Sequence, residues 1–220
     1  RSFLYKTDAT VFVDFGCADG ALIQAISRLY PDLMLVGYDI SEEMINLAKD
    51  RNVKNGCFVQ DWNKVSSMIN RGIGQTNTSA IILSSVLHEI YSYLNPFEID
   101  EFWKKVYDTG FDYIIIRDMM VSESTSRQAD PISVAKIKQI FDLKKIKQWE
   151  SQWGSLHENW SLVHFLLTYR YDTNWEREYR ENYLPNSLET FLNNIPGKYA
   201  PSYIEHYTLP FLRNCVNKDF

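Results

Sequence analysis

The sequence predicts an α/β fold, a doubly wound, mostly parallel sheet followed by a C-terminal helical insertion or cap. Three observations predict it. Short apolar runs alternate with stretches of helical periodicity through roughly the first 120 residues, the pattern of a parallel sheet joined by right-handed crossovers. The runs end at Asp14, Asp39, Asp61, Ser84 and Arg117, the strand ends beyond which such sheets bind ligands. From Asp130 onward the texture changes to helical patterns dense in Trp and Tyr.

Val11 to Phe15 is an apolar run that carries Asp14 near its end and passes into Gly16-Cys17-Ala18-Asp19-Gly20. Ile23, Ile26 and Leu29 follow at helical spacing, so the backbone amides of a helix start face whatever binds the turn. Ala in place of glycine at position 18 implies a backbone with negative φ there.

Leu33 to Asp39 is a second strand, and Ser41 caps a helix with Glu42 and Glu43 in its first turn. Cys57 to Val59 is a third strand ending at Gln60-Asp61-Trp62, followed by a helix and a turn over Gly72 to Asn77. Ala80 to Leu83 is a fourth, leading into Ser84-Ser85-Val86-Leu87-His88-Glu89-Ile90. A helix from Pro96 to Tyr107 then precedes a fifth strand, Asp112 to Asp118.

Helical patterns cover 132–141, 144–153, 156–169, 174–183 and 187–195, and 203–209 has the alternation of a sixth strand. The implied division is a ligand-binding core over 1–128, a helical insertion or cap over 129–195, and a truncated last strand region of the core over 196–220. The Trp and Tyr side chains of the cap are expected to form its core.

Composition narrows the class. With 45% apolar residues the chain buries a sizeable core, and a net charge of -5 gives no global footprint for nucleic acid. The whole imbalance lies in residues 1–120, with 11 Lys and Arg against 16 Asp and Glu; residues 121–220 carry 12 of each. Three scattered cysteines, Cys17, Cys57 and Cys215, suggest neither a disulfide framework nor a zinc site, which points to a reducing, cytoplasmic setting. No apolar run reaches spanning length, so no membrane partner is expected. The start lacks both Met and a signal-peptide core, and the chain is expected to be part of a longer protein with other domains.

The order Asp14, Gly16, Gly20, Asp39, Asp61 resembles the class I S-adenosylmethionine-dependent methyltransferase family, over roughly the first 120 residues. The resemblance implies a Rossmann-like core and S-adenosylmethionine as cofactor. Asp14, Gly16, Cys17 and Gly20 would hold its methionine end, Asp39 its ribose hydroxyls, Asp61 its adenine amino group, and Ile40 or Trp62 would flank the ring. Ser84 would close the site at the fourth strand. An acid at a strand-to-helix turn is, taken singly, as often a helix cap as a ligand; three at successive strand ends point to a ligand. A nicotinamide-type domain also expects an acid near Asp39, 23 residues after Gly16, but asks for neither Asp14 nor Asp61.

The segment around Leu87-His88-Glu89 occupies the place where family members face the reactive methyl group. His88 and Glu89 are candidates for acid–base work, although His88 can equally fix the loop by hydrogen bonding. Arg117 is a candidate for an acidic group on the substrate, or for an ion pair with Asp118, Glu89 or Asp61. His157 and His164, about 10 Å apart on a helix, are too distant to share an ion, so no metal is expected. Arg170, Arg177 and Arg180 with interleaved Tyr make the best local case for nucleic acid. The acceptor, a small molecule, RNA or protein, is left open, and the alternative is a non-catalytic domain that binds S-adenosylmethionine or S-adenosylhomocysteine.

Overall fold

A computed structural model describes residue 4, residues 6–70 and residues 78–220; the turn expected over 72–77 lies outside the described residues. The described residues fall into two compact units, 1–118 and 119–220.

In the first unit, β1 (Val11–Phe15), β2 (Met34–Tyr38), β3 (Gly56–Val59), β4 (Ser79–Ser84) and β5 (Tyr113–Arg117) form one parallel sheet in the order β3-β2-β1-β4-β5. Helices α1 (Ala21–Leu29), α2 (Glu42–Asp50), α3 (Trp62–Asn70), α4 (Leu87–Tyr93) and α5 (Pro96–Thr109) make the connections. The chain winds outward from β1 through β2 to β3, then returns to the other side of β1 for β4 and β5. This reversal is the switch point at which the loops after β1 and β4 part.

Val11, Phe12 and Val13 of β1 and Ala80 to Leu83 of β4 are fully buried, because strands covered on both faces need continuous apolar runs. Phe12, Ile23, Leu35, Ile45, Ala48 and Ile82 belong to one core. Gly37 is small by necessity: a Cβ there would lie 2.5 Å from Phe58 and 2.8 Å from the Cys17 sulfur. Helix starts follow the expected signals, with the Ser41 hydroxyl accepting from Met44 N–H (3.3 Å) and Asn95 forming a reciprocal capping box with Glu98.

The second unit holds α6 (Pro131–Ile140), α7 (Leu143–Trp153), α8 (Asn159–Thr168), α9 (Trp175–Glu178), α10 (Leu188–Asn193) and α11 (Pro210–Asp219). Its core is aromatic as expected, built on Trp149, Phe165, Tyr169 and Trp175 with Ile146 and Leu156. The indole N–H of Trp149 donates to Ser161 Oγ (3.2 Å) and that of Trp175 to Gln148 Oε1 (2.7 Å), so the rings are buried without orphaned donors.

Two expectations are corrected. Residues 119–128 lie in the second unit rather than the core: Val121 bridges Ser187, Ser122 Oγ donates to Glu189 (2.6 Å) and Asn159 Nδ2 donates to Thr125 O (3.3 Å). Residues 203–209 form no strand. Alternation makes a strand only where an edge is offered to pair with, and here Tyr203, Ile204 and Tyr207 stay exposed between Pro201 and Pro210, after which the chain is helical.

Candidate functional site

Asp14 sits inside β1, in register with Gly37 of β2 and Ile82 of β4, and is 4% exposed. Burial, reinforced by the nearby Asp39 carboxylate, pushes its pKa from 3.8 up to about 7. Among the described residues no cation pairs with it.

The following loop is a tight track. Gly16 and Cys17 both donate their N–H to Tyr38 O (2.8 and 2.9 Å), Gly20 N–H donates to Cys17 O (2.9 Å), and Gly16 and Gly20 have φ of 72° and 78°. Ala18 corrects the expectation for its position, because it too is left-handed, at φ 45°. An L-residue there costs roughly 1–2 kcal/mol, and the loop is held by Ala18 N–H donating to Asp39 Oδ2 (2.8 Å). Asp39 Oδ1 accepts from Ser41 N–H (2.9 Å), so this carboxylate ties the loop after β1 to the turn after β2. Each of its oxygens accepts one amide, which leaves lone pairs for a ligand's hydroxyls.

The Cys17 thiol is buried and pushed up to about 12 by that burial and by Asp14 and Asp39, so its contribution is backbone rather than nucleophile. Asp61 is exposed and accepts from Asn63 N–H (2.9 Å), serving the start of α3 while facing solvent. Ile40 is 78% exposed, an apolar surface at the end of β2. Trp62 differs: its ring packs edge-on against Phe15, Tyr38 and Phe111, and its N–H donates to Thr109 Oγ1 (3.1 Å). Ile40, rather than Trp62, therefore offers an open face for a planar ring. A separate hollow of about 250 Å³ between α2 and α3 is lined by Glu42, Ile45, Lys49, Gln60 and Asp61, and includes none of Asp14 to Gly20.

At the other side of the switch point, a Cβ on Gly16 would lie 3.3 Å from Val86 Cγ2, so the loops after β1 and β4 touch. Ser84 ends β4 opposite Arg117 of β5. Ser85, at φ 56°, donates its N–H to Arg117 O (2.7 Å), and Arg117 Nη1 donates to Ser85 Oγ (3.1 Å). Arg117 thus braces the turn after β4 by hydrogen bonding while its side chain stays exposed.

His88 is buried, with Nδ1 2.8 Å from Asp118 Oδ1, while Asp118 Oδ2 accepts the amides of Leu87 (2.7 Å) and His88 (3.3 Å). A carboxylate at Nδ1 assigns the proton to that nitrogen and makes Nε2 the acceptor. Glu89 lies half-buried in the first turn of α4. Sequence reasoning missed Asp118, treating it as a partner for Arg117. The signal was present, because an acid closing a strand had already selected Asp14, Asp39 and Asp61.

In the second unit, His164 is fully buried among Trp149, Trp153 and Trp160, whereas His157 is exposed. Arg170 pairs with Asp219 (3.4 Å), Arg177 with Glu181 (2.9 Å) and Arg180 with Glu176 (3.7 Å), which uses up the arginines that made the local case for nucleic acid.

The fit to the cofactor is chemical. The Asp39 carboxylate adds to the cost of charging the buried Asp14 beside a loop of left-handed turns, and a ligand bearing an ammonium and a sulfonium would supply positive charge there. Ile40 presents an exposed apolar surface and Asp61 an exposed hydrogen-bond acceptor after β2 and β3.

A family model described as a methyltransferase domain matches residues 13–119. The chain is 27% identical over 171 residues to the carboxy-S-adenosyl-L-methionine synthase of Campylobacter fetus subsp. fetus, covering 77% of this chain and 67% of that protein. Among solved structures, the plantazolicin methyltransferase BpumL, in complex with a pentazolic desmethylPZN analog and SAH, is 17% identical with a TM-score of 0.39, covering 86% of this chain and 55% of that one. WbdD with a kinase inhibitor is 22% identical with a TM-score of 0.36, covering 52% of this chain. The chain spans 26% of the length of WbdD. Residues 13–119 thus match a methyltransferase domain, which supports class I S-adenosylmethionine-dependent chemistry with S-adenosylmethionine as the cofactor.

Proposed function

We propose that the chain transfers the sulfonium methyl group of S-adenosylmethionine to a nucleophilic acceptor, and that it works in the cytoplasm. The observation that carries this is the pair of carboxylates, Asp14 and Asp39, flanking the loop over Gly16 to Gly20 without a cation among the described residues. The cofactor supplies the activated methyl group; the chain supplies alignment and exclusion of water.

In this reading Asp14 neutralises the ammonium, the backbone of Gly16, Cys17 and Gly20 lines the methionine end, and Asp39 accepts from the ribose hydroxyls. Ile40 covers a face of the adenine and Asp61 accepts from its amino group. Trp62 shapes the wall from behind by holding Phe15 and Tyr38. Ser84 lies beside the methyl group, with His88, Glu89 and Arg117 on the acceptor side. His88, held by Asp118, is the candidate general base for a hydroxyl or nitrogen nucleophile. The cytoplasmic placement rests on three cysteines that form no disulfide.

Titration calorimetry with S-adenosylmethionine and S-adenosylhomocysteine tests the donor site. Asp39→Ala is expected to weaken both by one to a few kcal/mol, on the order of two lost hydroxyl bonds; unchanged affinity in the folded variant removes Asp39 from the site. Turnover is tested with methyl-labelled donor and fractionated cell extract. Label in an acceptor supports methyl transfer. Label kept on a carboxylated donor transfers to this chain the reaction named for its Campylobacter relative. Tight binding of both compounds without label transfer makes the domain a binding module.

A further inference from the structure

The chain exposes two apolar corners of opposite charge. In the first unit, the turn between α4 and α5 leaves Tyr93 57% and Phe97 72% exposed. Across residues 93–104 the charged residues are Glu98, Asp100, Glu101 and Lys104: Glu98 closes the Asn95 capping box, Glu101 lies 3.8 Å from Lys104 across an exposed pair, and Asp100 stands exposed, which leaves the corner net acidic. In the second unit, Ile132, Ile140 and Leu143 are 68%, 59% and 56% exposed around the junction of α6 and α7. Ile132, Lys136 and Ile140 recur every fourth residue and so share one stripe of α6; Leu143 and Lys147 do the same on α7.

Residues 136–147 hold five lysines against Asp142 alone. Lys138 is paired with Glu150 (2.9 Å) and Lys145 with Asp172 (2.6 Å), while Lys136, Lys144 and Lys147 stand exposed beside the aliphatic side chains. Contiguous apolar side chains rimmed by charge mark interaction surfaces, and complementary charge orients the encounter.

We propose that copies of this chain associate head to tail, the acidic corner at the start of α5 of one copy seating on the basic corner between α6 and α7 of the next. The contact is heterologous, each copy offering one patch and receiving the other. Phe97 and Tyr93 provide aromatic anchors for the aliphatic stripe, and Asp100 and Glu101 face Lys144 and Lys147. A nucleic acid fits the basic corner less well. Its exposed partners are Ile and Leu rather than aromatic rings on which bases stack, and Arg170, Arg177 and Arg180 are paired within this unit.

Sedimentation velocity of the 220-residue chain over rising concentration tests the proposal. The expected result is species heavier than the 25.8 kDa monomer, with association weakened about tenfold or more by high salt. Lys144→Glu with Lys147→Glu, and separately Asp100→Lys with Glu101→Lys, are expected each to abolish self-association about as completely as Phe97→Asp. Mixing the two charge-reversed chains is expected to restore a complex, because each keeps one native patch for the other. Circular dichroism and donor binding, to which none of these residues contributes, confirm that the variants are folded. A chain that stays monomeric at every concentration overturns the proposal, as does self-association unchanged in the variants. Binding of single-stranded RNA or of anionic vesicles through the lysines of a strictly monomeric chain reassigns the basic corner to that partner.

Discussion

Asp14 pits stability against binding. Its carboxyl is raised to about 7 by burial and by Asp39, so the folded apo chain holds that proton more tightly than the unfolded chain does. The contribution to stability is fully present below the unfolded value of 3.8 and is lost as pH rises toward 7. Asp14→Asn is therefore expected to raise the thermal midpoint at neutral pH, by an amount on the order of 2 kcal/mol, while abolishing donor binding. A variant with wild-type stability and wild-type affinity would show that this carboxyl is neither strained nor used. The neighbouring Ala18 shows where residue-level reading stops. Its identity suggested ordinary backbone, yet φ is 45° because the amide is drawn onto Asp39, a bond between residues 21 positions apart that no local pattern reveals.

At the scale of elements, β1 to β5 were legible because parallel strands buried on both faces must be apolar throughout and end in polar residues at the ligand rim. The helix start at Ser41 was legible, and those at Asn95, Asp130 and Asp142 have the same local cause, a side-chain oxygen facing free amides. Two elements were not. Residues 174–183 carry a helical pattern but only Trp175–Glu178 is helical, because beyond it Tyr183 N–H turns in to donate to His164 Nε2 (3.1 Å). The start of α4 has no cap of its own, Val86 offering no acceptor, and is held instead by Asp118 at the end of β5. Asp118→Ala is expected to cost about 2–3 kcal/mol in denaturant unfolding, since it removes one acceptor shared by two amides and the partner of a buried imidazole. Asp118→Asn, which keeps an amide acceptor, is expected to recover part of that loss. No change in either variant would mean that α4 is held by packing alone.

At the scale of the whole molecule, the two units answer pH in opposite directions. His164 is fully buried among tryptophans, its Nδ1 has no hydrogen-bond partner, and burial lowers its pKa from 6.5 to about 4. The unfolded chain takes up this proton first, so the stability of the second unit is complete above about pH 6.5 and falls as pH drops toward 4, by about 3 kcal/mol in all. Acid titration followed by tryptophan fluorescence is expected to report unfolding of the second unit, and His164→Leu to shift that transition to lower pH. A transition unmoved by the variant would place the acid-labile group elsewhere. Much of the candidate site was legible as three acids at successive strand ends. The positions of Trp62 and Asp118 were not, since which way a side chain faces depends on Phe15, Tyr38 and Thr109 in one case and on His88 in the other. The acceptor leaves no comparable trace, because recognition of it calls for no fixed spacing along the chain.

The account stands or falls on Asp14 and Asp39 holding a cationic cofactor against the loop after β1. The direct measurement is calorimetric titration of S-adenosylmethionine into the wild-type chain and the Asp14→Asn variant across neutral pH. The account predicts one site whose affinity rises with pH through about 7, by up to tenfold per unit below it, with a proton released on binding and with binding lost in the variant. No binding to the wild-type chain, or equal and pH-independent binding to both, would contradict it.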